Sequence, residues 1–258
     1  MRYAQCPKCR HAPLPQDQSL PAACPACGLI LAKYGTAPPV PLPTAEGEPS
    51  GAEGPIARVN ALLFHTPESV PKNAWRVRAF ALAVFALWTA WILADVDIRN
   101  GKAGSTFLHM VLLPFHEAGH YAIFRWFGEF IMTLGGTLGQ HLMPIMLGGA
   151  LLIRRQDPFG AALFFWLLGF STIDMAVYMY DAFDPKLMLL GGMTGAESDG
   201  HDWQNIFGDL GLLRRARGIG LFFGLAGMAM MLAALAWAAR ILWLQRERSV
   251  PSGRRTVR

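Results

Sequence analysis

The chain has 258 residues and a formal net charge of +5, with 53% hydrophobic residues and only 16% charged residues. A soluble domain usually carries about 25% charged residues, so this composition excludes a wholly soluble or disordered protein. Positive charge beside apolar segments is typical of cytoplasmic membrane boundaries. Nucleic acid is therefore not an expected partner.

All four cysteines lie close to the start of the chain, as two C-x-x-C pairs separated by 14 residues. Such pairs can present four thiolates to one ion, so Cys6, Cys9, Cys24 and Cys27 predict a structural zinc site. Disulfides and a redox dithiol are the alternatives. The absence of an apolar signal segment favours a reducing compartment and therefore zinc. Residues 1–35 resemble a small zinc ribbon with a returning strand at 29–34, a module that can recruit a protein partner.

Composition divides the remainder of the chain. Residues 36–55 contain six prolines, three glutamates and no lysine or arginine, which predicts an extended linker. Residues 56–78 form a juxtamembrane segment that ends in a basic cluster. Residues 79–240 are expected to form a membrane domain, and residues 241–258 a basic tail.

Five apolar segments occupy the membrane domain, at 79–94, 105–124, 130–153, 158–180 and 218–239. Crossing a bilayer core of about 30 Å takes about 20 helical residues, so at least four of them can span it. The expected fold class is a mainly α polytopic membrane protein with four to five transmembrane helices, preceded by a small zinc ribbon. Its expected partner is the lipid bilayer.

The charges that flank these segments predict a topology. If all five segments cross and the start of the chain is cytoplasmic, eight Lys or Arg lie inside and ten outside, against the positive-inside tendency. If 130–153 enters and leaves on one face of the membrane, twelve Lys or Arg lie inside and six outside. The glycines of residues 135–141 and Pro144 would weaken a helix there, although an ordinary glycine-rich span is the alternative. We expect an inner-membrane protein with its ribbon and tail in the cytoplasm.

The most specific motif is H-E-x-x-H at His116, Glu117 and His120, which chance would produce about 0.006 times in this composition. Positions i and i+4 share a helix face, so both imidazoles can bind one Zn²⁺ while Glu117 acts as general base on a water. Ionisable groups in an apolar segment are costly, which itself indicates a functional site. The alternative is a buried hydrogen-bond network between helices.

With this motif, residues 104–217 resemble the intramembrane zinc metalloproteases of the site-2 protease class, in particular their compact bacterial M50-like members. The resemblance implies a catalytic zinc, Glu117 as the catalytic residue and a membrane-protein substrate. It also implies an Asp as third ligand, for which Asp202 and the adjacent His201 are the candidates. Asp174 and His141 are reserve candidates.

The resemblance further implies that substrate pairs with an extended edge, for which residues 135–141 are a candidate, with loop packing as the alternative. Two other functions stay open. One is a zinc-binding membrane scaffold, or a different metal hydrolase, without protease activity. The other is a membrane-tethered module whose ribbon binds a partner. An intact Glu117 favours an enzyme, because a structural metal site needs no base.

Overall fold

The structure is a computed structural model that describes residues 3–34, 54–105 and 107–250. It contains two compact units, Met1–Glu53 and Gly54–Arg258. The predicted linker lies outside the described residues apart from its last two positions, and so do residues 251–258 of the predicted tail. The expected fold class is confirmed: the chain is mainly helical, with membrane-length helices and a four-cysteine cluster near its start.

The small unit is built on two similar turns. The Arg10 amide donates to the Cys6 carbonyl at 2.8 Å, and the Gly28 amide donates to the Cys24 carbonyl at 2.9 Å. Arg10 and Gly28 both have positive φ, which lets the chain reverse directly after each C-x-x-C pair. The returning strand expected at 29–34 is wrong: only an isolated antiparallel bridge forms there, followed by the one-turn helix α1 (Leu31–Tyr34).

The large unit is a helical bundle. Among the described residues, four of its helices are long and apolar enough to cross a membrane. These are α3 (Lys72–Asp95), α5 (Glu129–Arg154), α6 (Pro158–Asp181) and α8 (Ala216–Arg246). Its helices are α2 (Pro55–Leu63), α3 (Lys72–Asp95), α4 (Phe107–Ala118), α5 (Glu129–Arg154), α6 (Pro158–Asp181), α7 (Asp202–Asp209) and α8 (Ala216–Arg246); short 3₁₀ turns lie at Ile98–Asn100, Lys102–Ser105 and Leu213–Arg215, and a π-helix at Gly119–Ile123.

Helix α6 forms the centre of the bundle: 67% of the residues in its most apolar stretch are buried, against 11% for α3. Glycines let α6 and α8 approach closely: a Cβ on Gly169 would meet the Met231 backbone, and one on Gly220 would meet that of Tyr180. The later residue of α6 contacts the earlier residue of α8, so the two helices are antiparallel. Small residues commonly line such interfaces in membranes, where van der Waals packing rather than the hydrophobic effect holds helices together.

Helix α3 starts at the same end of the bundle where α8 ends. The Trp75 indole donates to the Leu242 carbonyl at 3.0 Å, and Arg78 contacts Gln245 at 2.9 Å. Two short strands, β1 (Val70–Pro71) and β2 (Ser249–Val250), pair in parallel beside them. We call this end, where α5 also ends and α6 begins, the basic end, and the opposite end the site end.

Helix α5 is continuous, so the expected re-entrant segment at 130–153 is wrong. Its glycines do not break the helix, because they are packing positions: a Cβ on Gly136 would collide with the imidazoles of His116 and His120, and one on Gly139 with the Phe115 carbonyl. The extended edge expected at 135–141 is likewise wrong, since these residues are helical.

The segment that turns back is α4 with its π-helix. Helix α4 has 12 residues and the π-helix has five. Together they are shorter than the about 20 residues that a span requires. Gly119 packs on Gly135, and His120 contacts the Met132 carbonyl, both in the first half of α5. His109, near the start of α4, contacts Asp174 in the second half of α6. Both ends of this segment therefore lie in the half of the bundle nearer the site end.

Candidate metal centres

The four cysteines predicted as ligands form one cluster. Their sulfur atoms lie within 4.8 Å of one another, with 3.6 Å between Cys6 and Cys27 and 3.7 Å between Cys9 and Cys24. All four are free thiols rather than disulfides. A tetrahedral ion with metal–sulfur bonds of about 2.3 Å separates its ligands by about 3.8 Å. The four cysteines could therefore hold a structural metal ion.

A second cluster lies in the membrane domain. His116 and His120 project from adjacent turns of α4 and the π-helix, and Asp202 is the first residue of α7. Asp202 Oδ2 lies 3.0 Å from His116 Nε2 and 3.1 Å from His120 Nε2, and the two Nε2 atoms are 3.0 Å apart. Within the described part of the chain, this group and the four cysteines are the two sets that could hold a metal ion.

The other ring nitrogens of both histidines have partners. His120 Nδ1 donates to the Met132 carbonyl at 2.8 Å, and His116 Nδ1 donates to Gln140 Oε1 at 2.9 Å. The Gln140 amide in turn donates to the Ser171 carbonyl at 3.2 Å, which sets its orientation. Because Nδ1 carries the hydrogen in each neutral ring, each Nε2 presents a lone pair to the cluster.

Three electron-pair donors thus face one another at about hydrogen-bond distance. Two neutral imidazoles and a carboxylate repel unless a proton or a cation lies between them. Zinc bound at about 2.0–2.1 Å in tetrahedral geometry separates its nitrogen and oxygen ligands by about 3.3 Å, close to the spacing seen here. Where no metal is bound, a proton on the imidazoles takes that part: burial raises the pKa of Asp202, but hydrogen bonds from protonated His116 and His120 hold that pKa below its usual range.

The cluster opens into a cavity of about 430 Å³ that Glu117 also lines. One wall of the cavity is apolar and comes from Leu189, Leu190 and Met193, in the segment that joins α6 to α7. Pockets of roughly 300–1,000 Å³ are typical of small-ligand and substrate sites. Glu117 is therefore placed beside the cluster in a space large enough to admit part of a substrate.

The remaining candidate ligands lie elsewhere. His201 is not brought into the cluster: its Nδ1 accepts from the Gln204 amide at 3.1 Å, and its Nε2 lies 3.3 Å from Asp181. Asp174 contacts His109 Nδ1 at 2.9 Å. His141 Nδ1 donates to the Thr137 carbonyl at 2.8 Å. Asp202 is thus the only one of the four candidates in the cluster.

Sequence reasoning missed the residues that orient the imidazoles. Gln140 is a polar side chain inside an apolar segment, 4% exposed, and this was a signal that it has a specific partner. The Met132 carbonyl carries no signal in the sequence at all. The pair of His109 and Asp174 was also missed, because nothing in the spacing of these two residues relates them.

Fold and sites together define a helical membrane protein with two separate candidate metal centres. Comparison with protein-family models, with curated proteins and with solved structures gives no match.

Proposed function

We propose that the chain is a membrane-embedded, zinc-dependent endopeptidase that cleaves membrane-protein substrates within or near the bilayer. The observation that carries this proposal is the convergence of His116, His120 and Asp202 beside Glu117 in one cavity. The H-E-x-x-H motif and its resemblance to the site-2 protease class support it. In the same proposal, the four cysteines hold a second, structural zinc.

When bound by the two histidines and Asp202, zinc would supply a Lewis acid able to activate water near neutral pH. Glu117 follows His116 directly and lines the cavity, so its carboxylate can take a proton from water and pass it to the leaving amine. Gln140 and the Met132 carbonyl hold the imidazoles in one orientation. Polar side chains such as Thr133 and Thr137 also line the cavity and allow water to enter it.

The substrate has to reach this site in an unwound form. A transmembrane helix keeps its carbonyls in backbone hydrogen bonds, which protects them from attack. The cluster lies nearer the site end, because its contacts fall in the first half of α5 and at the start of α7. A peptide segment that frays at this end of the bilayer is therefore the kind of substrate that we propose.

We also propose that the basic end lies on the cytoplasmic side of the inner membrane. With α3, α5, α6 and α8 crossing, eleven Lys or Arg flank the basic end and seven the site end, which satisfies the positive-inside tendency. Among the described residues, the basic end has Lys72, Arg76, Arg78, Arg154, Arg155, Arg240, Arg246 and Arg248, and the site end has Arg99, Lys102, Arg125, Lys186, Arg214, Arg215 and Arg217. Arg254, Arg255 and Arg258 follow α8 in the sequence and complete the eleven.

The test compares the purified protein with its Glu117→Gln variant, each incubated with candidate single-span membrane proteins. We expect the wild type to produce fragments whose ends, read by mass spectrometry, map within or next to the substrate's apolar segment. Glu117→Gln should keep its metal and lose cleavage, because the amide cannot accept the proton. Glu129→Gln, which changes another glutamate of the same cavity, is the matched control and should still cleave.

Two results would contradict the proposal. Equal cleavage by wild type and Glu117→Gln would mean that a contaminant, or another group, does the chemistry. A full metal content without cleavage of any substrate would favour the zinc-binding membrane scaffold instead.

A further inference from the structure

The carboxylate of Asp181 contacts both ends of the segment that precedes Asp202. Residues 182–201 join α6 to α7, and Asp181 is the last residue of α6. At the start of the segment, Asp181 accepts from the Lys186 amide at 3.0 Å and from the Leu187 amide at 3.1 Å. At its end, Asp181 Oδ2 lies 3.3 Å from His201 Nε2.

His201 is the most enclosed histidine of this region, with a side chain that is 0% exposed. Its Nδ1 accepts from the Gln204 amide and so caps the first turn of α7. Because Nδ1 is an acceptor, the ring hydrogen is on Nε2. Within the described residues Nε2 is buried and makes no hydrogen bond, so its contact with Asp181 at 3.3 Å is an electrostatic one. The ring also lies beside Tyr178, and a Cβ on Gly195 would press against it.

We propose that His201 and Asp181 form a clasp that positions Asp202 for the metal, so that both are positioning residues of the candidate site. This inference rests on the metal-binding part of the proposed function and not on peptidase activity. Asp202 immediately follows the capping residue, and so the start of α7 fixes where its carboxylate points. Metal sites need their ligands held within about 0.5 Å, which a free loop end cannot provide.

The chemistry of the clasp supports a positioning role. An imidazole is an unusual cap, since Ser, Thr, Asp and Asn are the common ones. A buried polar ring also costs desolvation that an apolar residue would avoid. A shorter cap could hold the α7 amide but could not extend to Asp181. His201 does both, and it thereby joins the end of α6 to the first turn of α7.

The experiment is a zinc titration of the full-length protein in detergent, with bound metal per chain measured at fixed free zinc. The ribbon should contribute one constant ion, and His116→Ala defines that baseline. We expect His201→Ala to lower the zinc affinity of the membrane site by about 10 to 100-fold, the usual effect of losing a residue that orients a ligand. The site should still fill at high zinc. His201→Asn, which restores the cap but not the contact with Asp181, should recover only part of that affinity, and Asp181→Asn should show an intermediate loss.

The matched control is Asp157→Ala, which removes the side-chain cap of α6 at the basic end, far from the site. It should lower thermal stability and leave the zinc titration unchanged. The clasp is overturned if His201→Ala titrates like wild type, if His201→Asn binds zinc as tightly as wild type, or if Asp157→Ala weakens zinc binding as much as His201→Ala does. A His201→Ala site that stays empty at high zinc would make His201 a ligand and overturn it too. A protein that binds zinc as expected but cleaves nothing would contradict only the proposed peptidase.

Discussion

Two side chains near His116 differ in what their loss should do. Asp202 supplies one of the three converging donor atoms, whereas Gln140 touches only the far nitrogen of His116. We expect Asp202→Ala to empty the membrane site as His116→Ala does. Gln140→Leu should weaken zinc by about 10 to 100-fold and leave a site that refills at high zinc, because it frees the ring without removing a ligand. Metal per chain against free zinc measures both effects.

Thr133→Ala is the control for this pair of variants. Thr133 lines the same cavity, but its hydroxyl donates to the Glu129 carbonyl and contacts neither histidine. Its zinc titration should match that of the wild type. If Asp202→Ala retains a full membrane site, the third ligand is another residue and the assignment of Asp202 is wrong.

The sequence predicted these residues unequally. H-E-x-x-H is a local pattern, and its i and i+4 spacing brings His116 and His120 together whatever the rest of the fold does. His201 and Asp202 are adjacent, and which of them faces the histidines depends on where α7 begins. That boundary is set by a side chain that caps its own helix, which no spacing reveals. The oxygen that orients His120 belongs to the backbone and is invisible to a side-chain motif.

At the scale of elements, the close approach of α5 to the histidines depends on one glycine. A Cβ on Gly136 would collide with both imidazoles at the nitrogens that face Asp202. We therefore expect Gly136→Ala to reduce zinc binding to the ribbon's single ion, even though alanine favours helix by about 1 kcal/mol. Metal per chain and the thermal unfolding midpoint together measure the change.

Gly149→Ala is the matched control, because Gly149 belongs to the same helix and a Cβ there would meet nothing within 4 Å. It should keep both metal ions and leave the unfolding midpoint unchanged or slightly raised. Full zinc in Gly136→Ala would show that α5 can move away from the histidines without cost, and this contact would then not define the site.

The helices themselves were predictable from apolar length, but the role of α5 was not. Glycine lowers helix propensity, so residues 135–141 indicated a broken helix. In the bundle the same glycines let α5 pack against α4, and packing outweighs a propensity term of about 1 kcal/mol per residue. Propensity is a property of the isolated segment, whereas packing depends on a neighbour that the sequence does not identify. The segment that turns back was therefore predicted at 130–153, which is α5, whereas it is the preceding element, α4 with its π-helix.

At the scale of the whole molecule, the flanking charges predicted that the first and the last membrane-length helix have their outer ends on one side, as the structure has them. The count favoured an even number of crossings, and the excess of Lys and Arg stays on the cytoplasmic side in both cases, at twelve to six if 130–153 fails to cross and eleven to seven if 105–124 does. Four helices of membrane length lie in the described part of the chain, and the start of α3 lies at the same end as the close of α8. A global constraint on charge was therefore more robust than a local judgement about glycines.

This arrangement predicts the sidedness of reporters fused along the chain. Fusions after Asn100 and after Arg125 should report the same, non-cytoplasmic side, because α4 and the π-helix begin and end in the same half of the bundle. Fusions after Gln156 and after Arg258 should report the cytoplasm, since the basic end carries more Lys and Arg. A fusion after Asp184 is the internal control and should agree with Asn100. If the fusion after Arg125 instead agrees with that after Arg258, α4 crosses the bilayer and the site lies deeper than its contacts with α5 indicate.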